Sequence, residues 1–152
     1  MENKLSEILD NILGLLLLEG SYDIDEKDEA FYISIKTQDA GRLIGFRGQT
    51  LESLQLIVNQ LLSRQIGEDG FKKVILDIEG WKEGKSEELE SKAKQWIEEV
   101  KSSGNQMELE PMPSWQRRVV HMVVSESNGV ESESIGEGRD RYLVIRAKKP
   151  LE

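Results

Sequence analysis

The chain has 152 residues, of which 38% are hydrophobic and 32% charged, a composition typical of a soluble globular protein and unlike that of a disordered or fibrous one. This length allows one ordinary domain or two small ones. The formal net charge of −9 argues against a protein that coats nucleic acid or anionic membrane through its overall field, so any such contact must come from a local basic patch.

The residue types exclude several kinds of chemistry. The sequence has no cysteine and one histidine, His121, so disulfides, thiolate sites and multi-histidine metal sites are excluded. No second titratable residue lies at a spacing that would orient the His121 ring, so we expect no enzyme and no catalytic residue. We also expect no metal and no cofactor. The leucine run in residues 1–18 is too short to span a bilayer or form a signal peptide, which predicts a cytoplasmic protein without membrane insertion.

The first half of the chain predicts the order helix, strand, strand, helix, loop, helix, strand. Apolar steps of three and four residues indicate helices, and alternation indicates strands. The predicted elements are a helix over Lys4–Leu18, a hairpin of Tyr22–Asp25 and Phe31–Ile35, a helical turn at Asp39–Ile44, a helix from Leu51 to near Gly67, and a strand over Val74–Ile78.

The hairpin turn is acidic, which raises the question of a calcium site. It holds Asp23, Asp25, Asp28 and Glu29. The glycine and the closing bidentate glutamate of a calcium loop are missing at the required spacing. The sequence therefore favours a solvated hairpin tip.

The second half predicts a small α+β unit. The segment Gly80–Lys85 has two glycines, three charges and no periodicity, so it is the expected boundary between two units. Ser86 is the expected N-cap of the helix that follows. The predicted elements are this helix up to Gly104, a short strand over Met107–Leu109, a helix over Pro113–Ser125, and strands over Val130–Ile135 and Tyr142–Ala147.

The acidity is concentrated in the first half. Residues 1–80 hold 15 acidic and 8 basic residues, net −7, whereas residues 81–152 hold 14 and 12, net −2. The bases of the last third are clustered enough to predict a positive face within an acidic protein. They are Arg117, Arg118, Arg139, Arg141, Arg146, Lys148 and Lys149.

A glycine-framed turn, Gly45-Phe46-Arg47-Gly48, joins two predicted helices. Glycine lets a backbone approach a ligand closely, and the next helix presents free N–H groups that suit an anion. It is not a nucleotide P-loop or a dinucleotide fingerprint, because both require other residues or spacings. By itself the motif also fits a tight turn without ligand.

With this element order, residues 1–80 resemble a KH domain of the type II arrangement. The resemblance implies that the loop clamps about four nucleotides of single-stranded RNA. The implied RNA-binding residues are Arg42, Gly45, Phe46, Arg47, Gly48 and Gln49. The family usually has a basic residue where Phe46 stands, so Phe46 is left to stack on a base or to pack against a protein partner.

A helix of the second half combines arginine and histidine on one face. Arg117 and His121 are four residues apart, and Arg118 and Ser125 fall in the same arc of a helical wheel. Trp115, Val119, Met122 and Val123 fall opposite and are the predicted buried face. Guanidinium and imidazole groups can grip a phosphodiester, although for such a pair alone a solvated helix face is the more common explanation.

The run from Glu110 to His121, followed by the last two strands, resembles the R-three-H domain, named for its Arg-x-x-x-His pair. The resemblance covers residues 86–148 and implies binding of single-stranded nucleic acid. Arg117 and His121 take the named roles. The implied auxiliary phosphate contacts are Arg118, Arg139, Arg141 and Arg146.

A type II KH domain over 1–80 followed by an R-three-H domain over 81–152 resembles the bacterial Jag family, also called KhpB or SpoIIIJ-associated proteins. The resemblance implies two small α+β domains, non-enzymatic binding of single-stranded RNA with single-stranded DNA as a further ligand, and a small KH-domain partner or self-association. It also implies a role in post-transcriptional regulation and cell-shape control. The extra N-terminal domain that many members carry is not expected here. The alternative, favoured by the charge of −9, is a protein–protein adaptor that keeps both folds.

Overall fold

The computed structural model describes residues 1–67 and 69–149; Glu68 and the last three residues of the predicted second domain, 150–152, lie outside the described residues. The chain divides into two compact units, Met1–Lys82 and Glu83–Glu152. Each unit combines helices with a three-stranded sheet, which confirms the predicted α+β class. No helix among the described residues is long and apolar enough to cross a membrane.

The first unit has its elements in the predicted order. They are α1 (Glu2–Leu15), β1 (Gly20–Lys27), β2 (Ala30–Thr37), α2 (Ala40–Ile44), α3 (Gln49–Ile66) and β3 (Lys73–Ile78). β2 is central and pairs antiparallel with β1 and parallel with β3. Parallel strands need a crossover, which α2 and α3 supply.

Helix α1 ends at Leu15, three residues before its predicted end at Leu18. The Leu18 N–H donates to the Leu13 carbonyl and the Leu17 N–H to the Gly14 carbonyl. This is a Schellman motif with leucine, at φ 54°, in the left-handed position that glycine usually occupies. The turn lets Leu18 join the core, where it is 8% exposed.

The core of the first unit lies between the two longer helices and one face of the sheet. In β2 and β3 every second residue is buried, as the strand period requires. The buried residues of the sheet are Phe31, Ile33, Ile35, Val74, Leu76 and Ile78, and those of the helices include Leu5, Leu9, Leu51, Val58 and Leu62.

The hairpin tip is narrower than predicted, because the strands extend to Lys27 and Ala30 and only Asp28 and Glu29 form the turn. Its carboxylates pair with lysines: Lys27 Nζ lies 2.7 Å from the Asp25 carboxylate. Lys36 pairs with Asp23 and Lys72 with Glu26 in the same way. Such lysine–carboxylate pairs at the surface are typical of a solvated hairpin tip.

The division between the two units falls inside Gly80–Lys85, after Lys82, but the segment is helical and not irregular: α4 starts at Trp81 and runs to Ser103, so Ser86 is not its N-cap. Asp77 Oδ1 accepts hydrogen bonds from the backbone N–H groups of Ile78 and Lys82, which fixes the turn before the helix. Trp81 also packs against the first core. Tertiary contacts thus override the weak helix propensity of Gly84.

The second unit contains most of α4, then β4 (Met107–Glu108), α5 (Ser114–Glu126), β5 (Val130–Ile135) and β6 (Tyr142–Ala147). The sheet is antiparallel with β6 in the centre, in the order β4-β6-β5. Its core combines both helices with one face of the sheet: Leu89, Ala93, Ile97, Val100, Leu109, Val120, Val124, Val130, Leu143 and Ile145.

The buried face of α5 differs from the predicted one. Gln116, Val120 and Val124 are the buried row, spaced four apart, while Val119 and Val123 are half-buried. Met122, predicted to face the core, is 55% exposed. The predicted buried face is therefore displaced around the helix toward Met122. The helical wheel places the polar face on the Arg117–His121 row, but the positions of α4 and the sheet decide which residues are buried.

Candidate functional site

The glycine-framed turn between α2 and α3 depends on left-handed backbone conformations. Gly45 has φ 71° and ψ −175°, a region that only glycine adopts without strain. Gly48 has φ 77°, and Arg47 between them has φ 53°. A Cβ on Gly45 would lie 2.0 Å from Thr50 Oγ1. Both the backbone angles and the space therefore require glycine at position 45.

The tip of the turn exposes an aromatic ring and a cation together. Phe46 is 72% exposed. The Arg47 guanidinium lies 5.0 Å from the centre of the Phe46 ring, a cation–π contact. Gly48, the N-cap of α3, supplies no side-chain capping hydrogen bond. The turn therefore presents a flat ring, a positive charge and backbone donors on one short segment.

The two flanking residues predicted for this site lie in different surroundings. Arg42 is exposed on α2, and its Nη1 lies 4.0 Å from the Asp39 carboxylate. Gln49 is half-buried in the first turn of α3, where its backbone carbonyl accepts a hydrogen bond from Ser53 Oγ. A loose surface pair such as Arg42–Asp39 contributes little and leaves the guanidinium exposed.

An indole ring lies directly against the turn, which the sequence did not indicate. A Cβ on Gly48 would lie 2.5 Å from Cη2 and 2.8 Å from Cζ3 of Trp81. Trp81 is the first residue of α4 and is half-buried. Position 48 thus requires glycine for a second reason besides its positive φ.

Amide side chains of α3 form hydrogen bonds with the backbone of the edge strand β3. Asn59 accepts from the Val74 N–H and donates to the Val74 carbonyl, both at 2.8 Å. Gln55 Oε1 accepts from the Leu76 N–H at 3.0 Å and from Lys82 Nζ at 2.8 Å. These bonds place the Lys82 ammonium at the edge between α3 and β3.

In the second unit, two serines of β5 each hold a predicted basic residue. His121 Nδ1 lies 2.5 Å from Ser132 Oγ. Arg141 Nε donates to Ser134 Oγ at 2.6 Å. Ser132 and Ser134 are two apart on a strand and so share one face, about 7 Å from each other. The structure therefore brings His121 and Arg141 together along the edge strand.

The two arginines of α5 differ in exposure. The half-buried Arg117 donates through Nη1 to the Met112 carbonyl at 2.7 Å, so it also anchors the start of α5. Arg118 is exposed and lines a groove of about 420 Å³ between α4 and α5, together with Met122 and Lys94.

Arg146 lies on the opposite face of the sheet from Ser134, the serine that binds Arg141, because its register partner Glu131 is three residues from Ser134 on β5. Its Nε lies 2.7 Å from Glu131 and its Nη1 2.9 Å from Glu133. Hydrogen bonding to Glu131 is the main cause that raises the pKa of Arg146. Arg139 is exposed in the turn Gly138–Asp140 before β6. The structure therefore does not bring Arg146 together with His121.

Comparison with protein families divides the chain as follows. Residues 3–79 match the family model described as the KhpA/KhpB KH domain. Residues 87–147 match the R-three-H domain. The glycine-framed turn lies in the first range, and His121 and Arg141 lie in the second. Residues 80–86, with Trp81 and Lys82, lie outside both ranges.

Curated relatives match both ranges together. The chain is 30% identical over 151 residues to the RNA-binding protein KhpB of Clostridium symbiosum, which covers 98% of this chain and 67% of that protein. It is 32% identical over 128 residues to the RNA-binding protein KhpB of Bacillus subtilis (strain 168), covering 83% and 61%. The protein of that name from Streptococcus pneumoniae serotype 2 is 27% identical, covering 84% and 38%. The chain spans about two thirds or less of the length of these relatives.

Proposed function

Because this chain belongs to the KhpB family, which joins a KH domain to an R-three-H domain, we propose that it is a non-enzymatic protein that binds single-stranded RNA at two places. The first place is the glycine-framed turn, with Arg42, Phe46, Arg47 and Gln49 as side-chain contacts. The second is the His121–Arg141 edge, with Arg117, Arg118 and Arg139 beside it. Arg146 joins the second place only if its two glutamate partners release it.

The observation that carries the proposal is the exposed Phe46–Arg47 pair on a strained turn at the start of α3, where the N-cap residue is a glycine. An exposed aromatic ring costs free energy in water unless a ligand covers it. A nucleobase suits the ring, and a phosphate suits both the guanidinium and the N–H groups. Backbone strain of this kind persists where a site requires it.

The second place suits a phosphodiester through side chains. His121 and Arg141 are both exposed, and each is oriented by a serine. Arginine grips phosphate with paired donors, and the imidazole supplies a further one. Two weak places on one chain raise the apparent affinity wherever one strand can reach both.

The test is a titration of fluorescently labelled, unstructured RNA, followed by anisotropy, with single-stranded DNA of the same sequence as a comparison. We expect saturable binding that weakens as salt rises. If the anisotropy of the RNA does not rise at low salt, the RNA is not bound and the proposal is contradicted. Equal binding of DNA indicates that the 2′-hydroxyl is not read.

A second candidate function, a protein–protein adaptor, is favoured by one specific feature. Leu56 and Ile57 on α3 are 61% and 51% exposed, and with Leu61 they line an apolar groove of about 310 Å³. Such a surface suits another protein. A small KH-domain partner or a second copy of the chain is the occupant proposed from the resemblance, and Leu56→Asp should abolish that association without changing RNA affinity.

A cytoplasmic location and a role in bacterial post-transcriptional regulation and cell-shape control complete the proposal. They rest on family membership and not on any contact in the structure. Crosslinking in cells followed by sequencing of the retained RNA tests them. Retention that is lost in the Arg47→Asp variant supports the proposed site, and retention that is unchanged counts against it.

A further inference from the structure

Two residues outside both family ranges lie beside the turn. The benzene ring of Trp81 lies against Gly48, with Cη2 and Cζ3 nearest to the place where a Cβ would stand. Lys82 follows it and reaches Gln55 with its ammonium. Both are half-buried, so part of each side chain is accessible to solvent. They lie in the segment between the two matched ranges, so neither family match assigns them a role.

The contact between the indole and Gly48 comes in addition to the packing of Trp81 against the first core. The start of α4 is also held by the Asp77 carboxylate, which accepts from the Lys82 N–H at 2.9 Å. Placing a large ring there requires position 48 to remain without a side chain. The indole is half-buried, so part of it is accessible to solvent beside the turn. A half-buried aromatic ring beside a polyanion site is a surface on which a base can stack.

Lys82 follows Trp81 in the chain, and its ammonium lies at the edge of the sheet. Gln55 Oε1 is shared between its ammonium and the Leu76 N–H. Burial lowers the pKa of Lys82, whereas the Asp77 and Glu52 carboxylates raise it. Two nearby carboxylates disfavour a phosphate at this point. A neutral acceptor, such as the carbonyl oxygen of a base, suits this ammonium better.

We propose that Trp81 and Lys82 form an RNA subsite beside the glycine-framed turn, in which the Trp81 ring stacks on one base and the Lys82 ammonium donates to a base carbonyl. The inference rests on the proposed RNA binding and adds to it a nucleotide position that neither matched domain supplies. The carbonyl requirement selects uracil, guanine or cytosine over adenine.

The test uses the full chain and two unstructured probes, a twelve-nucleotide uridine strand and an adenosine strand of equal length. Trp81→Leu should weaken uridine binding about 5- to 150-fold, the range of one base–aromatic stack, and Trp81→Phe should restore most of it. Lys82→Gln should lower uridine affinity more than adenosine affinity. Lys101→Gln, at the far end of the same helix, is the matched control and should change neither.

A fluorescence readout covers the case in which Trp81→Leu does not fold. The chain has three tryptophans, so Trp96→Phe with Trp115→Phe leaves Trp81 as the sole emitter. Its emission should change with the same midpoint as RNA binding. If parent and Lys82→Gln bind both probes alike and Trp81 emission stays constant, the subsite is refuted while RNA binding stands. If the parent binds neither probe, both proposals fail.

Discussion

The two proposed RNA contacts are built by opposite means. In the first unit the turn at Gly45–Gly48 is shaped by backbone angles, with Gly45, Arg47 and Gly48 all at positive φ. In the second unit His121 and Arg141 project from regular elements and are oriented by serine hydroxyls. A backbone-built site fails when its geometry changes, whereas a side-chain-built site loses one contact at a time.

The electrostatic setting differs as well. The first unit is strongly acidic, and its exposed cations at the turn are few, so stacking on Phe46 should carry much of its affinity. The second unit is nearly balanced in charge. Its weakness is internal competition, since Glu131 and Glu133 already hold Arg146. The first contact should therefore be less dependent on salt than the second.

The largest expected effect breaks the backbone-built site. Gly45→Ala puts a side chain into a glycine-only conformation and onto Thr50, so we expect a loss of about 2–4 kcal/mol in unfolding free energy together with RNA binding at the turn. Chemical denaturation measures it. Gly41→Ala in α2, where a Cβ meets nothing within 4 Å, is the control and should be neutral or stabilising. Equal stability of both variants would show that the turn is not strained.

The next effect removes the exposed chemistry of the turn and spares its backbone. Phe46→Asp with Arg47→Asp should weaken RNA binding about tenfold or more, because a stack and a phosphate contact are lost and two negative charges are added. The melting temperature should stay near that of the parent. Arg64→Asp, exposed near the end of α3, adds charge elsewhere and should cost far less. If Arg64→Asp weakens RNA binding as much as the double variant does, the loss comes from net charge and not from the turn.

A smaller effect is expected in the side-chain-built site. His121→Ala with Arg141→Ala should weaken binding about fivefold, the value of one or two exposed charged contacts, without loss of stability. Anisotropy and thermal melting separate the two quantities. Arg117→Ala should instead lower stability by about 1 kcal/mol as well, because its bond to the Met112 carbonyl is lost. If Arg117→Ala melts like the parent, that bond does not anchor α5.

The smallest effect sharpens the distinction between the two faces of the second sheet. Arg146→Ala should change RNA affinity less than about twofold, because an ion-paired guanidinium on the opposite face has little to lose. Glu131→Gln with Glu133→Gln releases that arginine and should strengthen binding at low salt. A loss from Arg146→Ala equal to that from Arg141→Ala would place both arginines at one site.

Local patterns in the sequence were sufficient for most elements and for the glycine-framed turn. β5 and β6 have the predicted bounds, because their alternation and flanking glycines are local signals. The start of α4 was missed because it depends on Trp81 packing against a core formed by distant residues. The serines of β5 were missed for the same reason, since only the strand register brings Ser132 to His121.

The second unit also shows the limit of charge counting. Arg141 and Arg146 are similar in sequence, both near the ends of one predicted strand. Odd spacing on a strand separates them to opposite faces, and that parity could have been read from the sequence. The glutamates that hold Arg146 could have been found by the same means, because Glu131 is its partner in the antiparallel register. Parity is therefore the missed signal here.

The most direct measurement is the salt dependence of RNA affinity for four proteins: the parent, Phe46→Asp with Arg47→Asp, His121→Ala with Arg141→Ala, and the combination of all four changes. Two separate contacts predict that each double variant binds more weakly with a shallower slope of log K against log salt, the second showing the larger change in slope, and that the combined variant retains almost no salt-dependent binding. Parent-like affinity and slope in both double variants would contradict RNA binding at these two places.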